Sequence, residues 1–385
     1  IWGFPKKKDP EIKQEDPSTF PNTQTLVKLQ GTCSYLKSDP RYKVLCKLSN
    51  NSGRGCLSLE VADSIDSLWV LAPIYSYDQS RQQKWYELHS DFRSYIESFG
   101  ISFSTVELLH LHDISGKPQK YLVTKSNNEP FDIQLEYRGF PLYLRENLLN
   151  VAASKIPNWS YIAWIDGHQL FDNYYWWEEG IIMAEKVGSV HLYTELQRLT
   201  SKNTTDTYKY SYIYSALYMS HFLRDMNSIS SYLRPEDVYV PTVSQGNAFI
   251  MSYDKYQQLL PVGGIIDRAI GTYTDVLWNI ASMPVGVDWD KLYYGVYPHY
   301  FSLFEDWIQQ ARKLFNRTNA AIRGTLYHFD HKSILYYQPL GNLFDDGKFD
   351  PSMDLITDNN GTLYLINTEY SLKAREMIKT ILANY

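Results

Sequence analysis

Residues 161–171, YIAWIDGHQLF, constrain the fold more than any other stretch of this chain. The segment begins with the apolar run YIAWI and turns polar at Asp166, Gly167 and His168. A short apolar run bounded by turn residues is typical of a strand buried on both faces, as in a parallel sheet. Ligands of open α/β sheets bind beyond the carboxyl ends of such strands. We therefore predict a central strand that ends in a ligand site; a buried strand followed by an ordinary Asp-Gly turn also explains the pattern.

The segments before this strand alternate between strand and helix patterns. Residues 67–74 and 101–109 are apolar and rich in strand-forming side chains, and residues 80–99 carry apolar side chains at spacings of three and four. A strand, a helix and a second strand in this order predict a parallel pair with a right-handed crossover. Residues 131–137 are expected to add an edge strand, and residues 143–154 a helix.

The second half of the chain continues this pattern less regularly. It predicts a strand at residues 187–193 and a turn running into a strand at residues 243–252. It predicts helices at residues 176–186, 212–223, 253–260, 302–315 and 370–382, and residues 265–282 are expected to be helical in parts. An alternation of strands and helices over the whole chain predicts an α/β protein with a mixed, mostly parallel sheet flanked by helices.

Charge, hydropathy and cysteine content limit the possible partners and compartments. The formal net charge is −6 without a long basic block, so nucleic acid is not an expected partner. No window of about 18 residues is continuously apolar, so the chain as given has no predicted membrane span. Cys33, Cys46 and Cys56 lack metal-binding spacing and are odd in number, which favours a reducing compartment without disulfides.

The first 30 residues differ in composition from the rest. They are polar and proline-rich, and cannot bury enough apolar area to fold alone. We expect residues 1–30 to dock on the chain's own surface or on other protein subunits. The chain starts at Ile1, which indicates either removal of a targeting peptide or a longer parent protein. With reduced cysteines, the first case favours an organelle such as the mitochondrion over the secretory pathway.

Several sequence blocks resemble one known family. The chain resembles GT-A-like glycosyltransferases, which have the nucleotide-diphospho-sugar transferase fold, from about residue 68 to about residue 364. The helix sequence RENLLN at residues 145–150 is similar to the family's Lys-Glu-x-Leu-Leu-Asn, and residues 161–171 are similar to its VAWIDADIxF strand. Further blocks follow in the family's order: Gly246-Asn247-Ala248, Gly263-Gly264-Ile265-Ile266-Asp267, Arg323-Gly324-Thr325 with His328, and residues 349–355.

The resemblance implies an Mn²⁺ or Mg²⁺ ion that bridges a nucleotide sugar to carboxylates and stabilises the departing diphosphate. It implies metal ligands at Asp166, His168 and His328. Contacts to the nucleotide are implied at Asp166, Gly167, His168, Gly246 and Asn247. The candidates for catalytic residues are Asp166, Asp275 and Asp330.

The chain departs from the family where ligands are expected. The family's Asp-x-Asp segment corresponds to Asp166-Gly167-His168 in this chain. Position 168 therefore carries an imidazole, which prefers softer ions than Mg²⁺. An Asp-His-His segment corresponds to residues 275–277, where only Asp275 is kept, and a late His-x-His-Gly segment corresponds to residues 328–331. Ligand positions thus change in three places, while glycines and apolar positions persist.

Two functional hypotheses follow from this pattern. The first is a catalytically degenerate glycosyltransferase-like domain, without a cofactor, that acts as a structural or interaction subunit of a larger protein assembly. The second is an active glycosyltransferase that uses Mn²⁺ or Mg²⁺ and a nucleotide sugar. In both, residues 1–65 form an N-terminal extension, residues 66–340 the GT-A-like domain, and residues 341–385 a turn-rich segment with a helix.

Three other groups of residues have a plain structural interpretation. His110 and His112 could bind a ligand together, but a pair on the surface is favoured. Trp176 and Trp177 are expected to be buried at a helix start rather than to stack on a sugar. Arg145 and its neighbour Glu146 are interpreted as an ion pair on a helix surface.

Overall fold

The computed structural model of the protein describes residues 67–79, 82–111, 118–140, 142–199, 212–217, 243–244, 246, 248–271, 274–282, 298–316, 318–329 and 337–383. Several predicted features lie outside these residues: the extension at residues 1–65 with its docking segment at 1–30, the three cysteines, and the candidates Asn247 and Asp330.

The described strands are, in chain order, β1 (Leu68–Tyr75), β2 (Ser102–His110), β3 (Asp132–Tyr137), β4 (Tyr161–Ile165), β5 (Gln169–Phe171), β6 (Ser189–His191), β7 (Glu195–Leu199), β8 (Tyr212–Ser215), β9 (Val243–Ser244), β10 (Ala248–Ser252), β11 (Asn319–Ala321), β12 (Thr325–Phe329), β13 (Leu355–Thr357) and β14 (Leu363–Leu365). The described helices are α1 (Gln83–Ser98), α2 (Arg145–Lys155), α3 (Trp176–Lys186), α4 (Tyr253–Leu259), α5 (Thr274–Ser282), α6 (Pro298–Ser302), α7 (Glu305–Phe315), α8 (Tyr337–Phe344), α9 (Pro351–Asp354) and α10 (Thr368–Ala383). Among these helices, none has both the length and the apolar character needed to cross a bilayer.

Seven of the described strands form one mixed sheet, in the order β11-β6-β10-β4-β1-β2-β3. Strand β10 runs antiparallel to both of its neighbours, and every other pair in this sheet is parallel. The predicted mixed, mostly parallel α/β sheet is therefore confirmed, with β3 at its edge as expected. We expected β4 to have parallel neighbours. This is confirmed for β1 and wrong for β10, which runs antiparallel to β4.

Side chains from the two faces of this sheet fill two apolar clusters. Along β1, Leu68 and Val70 point into the cluster that contains Phe92 of α1. Trp69 alternates with them and points into the other cluster, which contains Leu148 of α2. Alternation of this kind is a consequence of the pleat of a strand. Helices α1 and α3 thus cover one face, and α2, α5 and α7 cover the other.

The polar half of residues 161–171 leaves the central sheet. The chain turns after β4, where the N–H of His168 donates to the carbonyl of Asp166 at 2.8 Å. Strand β5 then pairs antiparallel with β12 in a second sheet of the order β5-β12-β7-β8-β9. The turn at residues 166–168 therefore lies where the two sheets meet.

One predicted element is wrong. Residues 212–215 belong to β8 and pair antiparallel with β7, although a helix was expected from residue 212 to residue 223. The sequence Tyr-Ile-Tyr at 212–214 fits a pleated surface well, and a neighbouring strand decides its conformation. Residues 218–223 lie outside the described part of the chain.

The C-terminal segment packs onto the same core as the central sheet. Leu355 and Leu363 of the β13–β14 hairpin, with Tyr370 and Ala374 of α10, belong to the apolar cluster that contains α2. The helix predicted at residues 370–382 is confirmed as α10.

Helix α2 also holds two turns of the chain through side-chain amides. Asn150 donates to a carbonyl and accepts from an N–H of the turn at residues 263–265, at 2.9 and 3.0 Å. Asn147 contacts the turn at residues 361–363 in the same way, at 2.9 and 3.1 Å. Each side-chain amide thus pairs with one C=O and one N–H group of a turn. Buried polar groups are usually paired in this way.

Asp267 follows the first of these turns. Its Oδ1 atom is buried and has no hydrogen-bond partner within the described residues. Burial raises the pKa of Asp267 to about 6, although Arg268 acts in the opposite direction. A carboxyl group with a raised pKa stabilises the fold while it is protonated, and this contribution is lost as the pH rises through the folded-state pKa.

We expect Asp267→Asn to remove part of the pH dependence of stability. Between about pH 4 and pH 6.5, the free energy of unfolding of the wild type should fall by about 1–2 kcal/mol relative to the variant, because ionisation of this partly buried carboxyl opposes folding. Chemical denaturation across this range measures the difference. The variant Asp254→Asn, at an exposed position, should follow the wild type. Parallel curves for wild type and Asp267→Asn would contradict the expectation.

Candidate functional site

Four polar residues from three parts of the chain meet at the carboxyl end of β4. Asp166 follows β4, Arg145 and Glu146 begin α2, and Asp275 lies in the first turn of α5. The chain order reverses between β1 and β4, since β1 leads through α1 to β2 on one side while β4 lies on the other. Such a reversal leaves a crevice at the carboxyl ends of the strands, where open α/β sheets bind ligands. These four residues, called the Arg145 cluster below, lie at this crevice.

The guanidinium group of Arg145 joins the cluster. Its Nε and Nη2 atoms lie 3.0 and 2.9 Å from Oδ1 of Asp166. Its Nη1 atom donates to Oε1 of Glu146 at 2.8 Å and to Oδ1 of Asp275 at 3.2 Å. The Arg145 side chain is only 10% exposed, so these contacts replace its water. Burial lowers the pKa of Arg145, but Asp166, Asp275, Tyr143 and Glu146 together raise it well above its usual value, so the guanidinium stays charged.

Burial raises the proton affinity of two carboxylates of the cluster, Glu146 and Asp275. Glu146 is buried, and its Oε1 atom also accepts from the hydroxyl of Thr274 at 2.8 Å. Burial raises the pKa of Glu146 to about 7, although Arg145 opposes the shift. Burial also raises the pKa of Asp275; Arg145 opposes this and Asp166 adds to it. Near neutral pH the cluster therefore takes up protons more readily than exposed carboxylates do.

The backbone before β10 comes close to this cluster at Gly246. A Cβ atom at this position would collide with Oδ2 of Asp275. The carbonyl of Gly246 accepts a hydrogen bond from the Tyr193 hydroxyl at 2.5 Å, which holds the backbone in place. Only glycine allows the chain to approach the carboxylate this closely.

Two imidazoles meet beside the cluster. The Nε2 atoms of His168 and His328 are 2.8 Å apart. His168 precedes β5, and His328 lies in β12 opposite Gln169 of β5. The fold thus brings together two of the predicted metal ligands, which are 160 positions apart in the chain.

The turn between Asp166 and His168 packs against His89 of α1. A Cβ atom on Gly167 would collide with Nδ1 of this histidine. His89 is fully buried, and its Nε2 atom lies 3.0 Å from Oγ1 of Thr105. Burial lowers the pKa of His89 to about 3, so the ring is neutral at physiological pH. The turn that presents Asp166 and His168 therefore needs a glycine at its centre.

The interpretation of Arg145 and Glu146 as a helix-surface ion pair is wrong. Both side chains are buried, because their partners Asp166, Asp275 and Thr274 close over them. The order of helices and strands in the sequence could have predicted this burial. A helix that leads into a parallel strand begins near the carboxyl edge of the sheet, so its first residues lie near the end of that strand.

Two tryptophans and one histidine that the sequence singled out are buried. Trp176 and Trp177 are buried at the start of α3, as predicted. His110 is also buried, between the rings of Tyr77 and Tyr137, so the favoured surface pair is wrong for this residue. His112 lies outside the described residues.

The cluster does not fit the hard divalent ion that the resemblance implies. Mg²⁺ and Mn²⁺ are held by several oxygen ligands around one centre. Oδ1 of Asp166 instead faces two nitrogens of Arg145, whose charge repels a second cation at this distance. In the part of the chain that the structure describes, no group of three or more His, Cys, Asp or Glu side chains could hold a metal ion.

Comparison with known proteins does not assign this chain to a family. No family model matches the sequence, and a search of curated proteins finds no significant match. The chemistry of this edge therefore has to be inferred from its own geometry.

We expect Arg145→Met to destabilise the protein by about 3 kcal/mol at pH 7.5, because it leaves three carboxylates without a counter-charge. The loss should shrink at about pH 5.5, because Glu146, with a pKa of about 7, is protonated there. Urea denaturation at both pH values measures the effect. The control Lys155→Met removes a more exposed pair with Glu129 and should cost less than about 1 kcal/mol. Equal losses in the two variants would contradict a central role for Arg145.

We expect Gly167→Ala to destabilise the protein by about 1–3 kcal/mol, because the added methyl group overlaps His89. A double-mutant cycle tests this cause. In the His89→Ala background the ring is absent, so the alanine at position 167 should cost less than in the wild type. Additive effects of the two substitutions would show that the collision is not the reason.

Proposed function

We propose that this chain is a GT-A-like domain that has lost sugar transfer and serves as a structural or interaction subunit of a larger protein assembly. The observation that carries the proposal is the contact of one buried guanidinium with both Asp166 and Asp275. Asp166 and Asp275 are two of the three candidate catalytic residues that the resemblance implies, and Asp166 is also an implied metal ligand.

A transferase of this type needs a mobile cation between its carboxylates and the diphosphate of the donor. Here a side chain of the protein supplies the positive charge. The lysine that the resemblance implies at position 145 has a single ammonium group, whereas arginine has a planar fork that can contact several carboxylates at once. Arg145 uses three nitrogens in this way, which supports a cluster that is complete without an added ion.

The net charge of the cluster also disfavours a diphosphate. Three carboxylates and one guanidinium give a formal charge of −2 when all are ionised. Protonation of Glu146 lowers this to −1, so the edge does not become positive near neutral pH. A diphosphate placed here without a bridging cation would be repelled.

Retention of the fold without the reaction has a physical explanation. The mixed sheet with one antiparallel strand agrees with the fold that the resemblance implies. Gly246 makes room for Asp275, and Asn150 holds the turn at residues 263–265. These residues of the resembling blocks stabilise the structure, so they would be kept after the chemistry had lapsed.

A second candidate is an active, metal-dependent glycosyltransferase. In its favour, the side chains of Asp166 and Asp275 remain 28% and 30% exposed at the crevice. His168 and His328 lie together in the same region of the fold. An incoming ion would have to displace Arg145 from both carboxylates.

A binding and turnover assay separates the two candidates. We expect calorimetry of the full chain with Mn²⁺ or Mg²⁺ and a panel of uridine, guanosine, adenosine and cytidine diphosphate sugars to show no binding, and chromatography to show no release of nucleoside diphosphate. Micromolar binding that requires the metal and is lost in Asp166→Ala would overturn the proposal. The proposal also predicts that the tagged native protein elutes in a stoichiometric complex, and that deletion of residues 1–30 weakens that complex.

A further inference from the structure

The C-terminal segment carries a group of apolar side chains that the core does not use. Among the described residues, the four most exposed large apolar side chains are Met353 at 71%, Leu372 at 54%, and Ile356 and Ile366 at 50% each. Three of them lie in or beside α9 and the β13–β14 hairpin, and Leu372 lies in α10. The other exposed large apolar side chains of the described residues reach at most 43%. A concentration of this kind is typical of an interaction site.

The pairing of the two hairpin strands places Ile356 and Ile366 on one face. Leu355 lies opposite Leu365, and the N–H of Ile366 donates to the carbonyl of Asp354 at 2.9 Å, which continues the pairing. Side chains alternate between the two faces of paired strands. Leu355 and Leu365 are buried in the core, so Ile356 and Ile366 point away from it. This side of the hairpin is called the outer face below.

The chain around the outer face is acidic. Between positions 341 and 369 the sequence has six carboxylates and a single basic residue, Lys348. Arg138, Arg268 and Lys373 approach this region from other segments. The carboxylates still outnumber the cations. A second copy of this face would therefore be repelled, whereas a basic segment would be attracted.

One segment of the chain combines the apolar and basic side chains that suit such a surface. Residues 1–8, IWGFPKKK, place Ile1, Trp2 and Phe4 before three lysines, the only run of three basic residues in the sequence. Aromatic residues are common anchors of protein interfaces, and the lysines are opposite in charge to the carboxylates around the outer face. Residues 9–66 connect this segment to β1 and can span up to about 190 Å when extended, so they are long enough to reach the hairpin.

We propose that residues 1–8 bind the outer face of the hairpin in the same chain. In this arrangement the aromatic rings of Trp2 and Phe4 cover the two exposed isoleucines, and the three lysines lie among the carboxylates. The inference does not depend on the proposed function, because this contact can form whether or not the carboxyl edge of the sheet transfers a sugar. It concerns residues 1–8 only, so residues 9–30 are still able to contact other subunits.

Photo-crosslinking of the purified full chain tests this contact. Phe4 is replaced by p-benzoylphenylalanine, and the cross-linked peptides of the monomer are identified by mass spectrometry after irradiation. We expect the photoreactive group to react within residues 351–372. The yield should fall roughly threefold between about 50 mM and about 500 mM NaCl, because salt screens the lysines. A mixture of ¹⁵N-labelled and unlabelled protein should give cross-links within single chains only.

Matched variants identify the side chains that are responsible. Ile356→Asp combined with Ile366→Asp should lower the yield roughly fivefold, and so should replacement of the three lysines by glutamate. The lysine variant changes none of the described residues, so it keeps the test valid if the isoleucine variant fails to fold. The control Leu260→Asp, at an apolar residue with 43% exposure outside the hairpin, should behave as the wild type does.

The outcomes that contradict the inference are distinct from those that contradict the proposed function. Cross-links outside residues 351–372, between two chains or to another protein would overturn the inference. Equal yields in the lysine variant and the control would do the same. All of these results leave the proposed loss of sugar transfer standing, because calorimetry with nucleotide sugars tests that proposal separately.

Discussion

The burial of the Arg145 guanidinium is the constraint on which the rest of this edge depends. A charge that leaves water must find partners of opposite sign in the protein, and an incomplete set is costly. The partners of Arg145 are its neighbour Glu146, Asp166 at the end of β4 and Asp275 at the start of α5. Helix α2, strand β4 and helix α5 therefore have to reach their final positions together. The contact between Arg145 and Asp275 also requires a glycine at position 246, because any side chain there would displace Asp275.

The polar residues of α2 extend this dependence to the rest of the fold. Arg145 and Glu146 contact the carboxyl edge of the sheet, whereas Asn147 and Asn150 hold the turns at residues 361–363 and 263–265. A helix on the surface would place such residues in water. This helix is buried by the sheet, by α5 and by the C-terminal hairpin, so each polar side chain has a fixed partner in a different segment. These four polar residues therefore connect α2 to the sheet edge, to α5 and to two turns of the chain.

Predictions from the sequence succeed where the deciding interactions are local. The spacing of apolar residues in α1 and the strand pattern of β1 and β2 depend on neighbours within a few positions, and these elements were predicted nearly in full. Long-range contacts decide the rest. Arg145 is buried by carboxylates 21 and 130 positions away, and no local pattern distinguishes it from a surface residue. Residues 212–215 form a strand because β7 lies beside them. The 2.8 Å separation of His168 and His328 likewise follows only from the pairing of β5 with β12.

Residues of the chain itself balance the charges at this edge. Asp166 and Asp275 need a positive charge nearby, and any cation that reaches both satisfies the fold. Arg145 supplies that charge from within the chain, so neither Mg²⁺ nor a nucleotide is required for folding. The turn that carries Asp166 and His168 has a separate requirement, because its fit depends on Gly167 against His89. The side chain at position 168 offers an imidazole nitrogen, and imidazole favours softer ions than Mg²⁺. The contacts of Arg145 and of Gly167 therefore position the backbone of this edge.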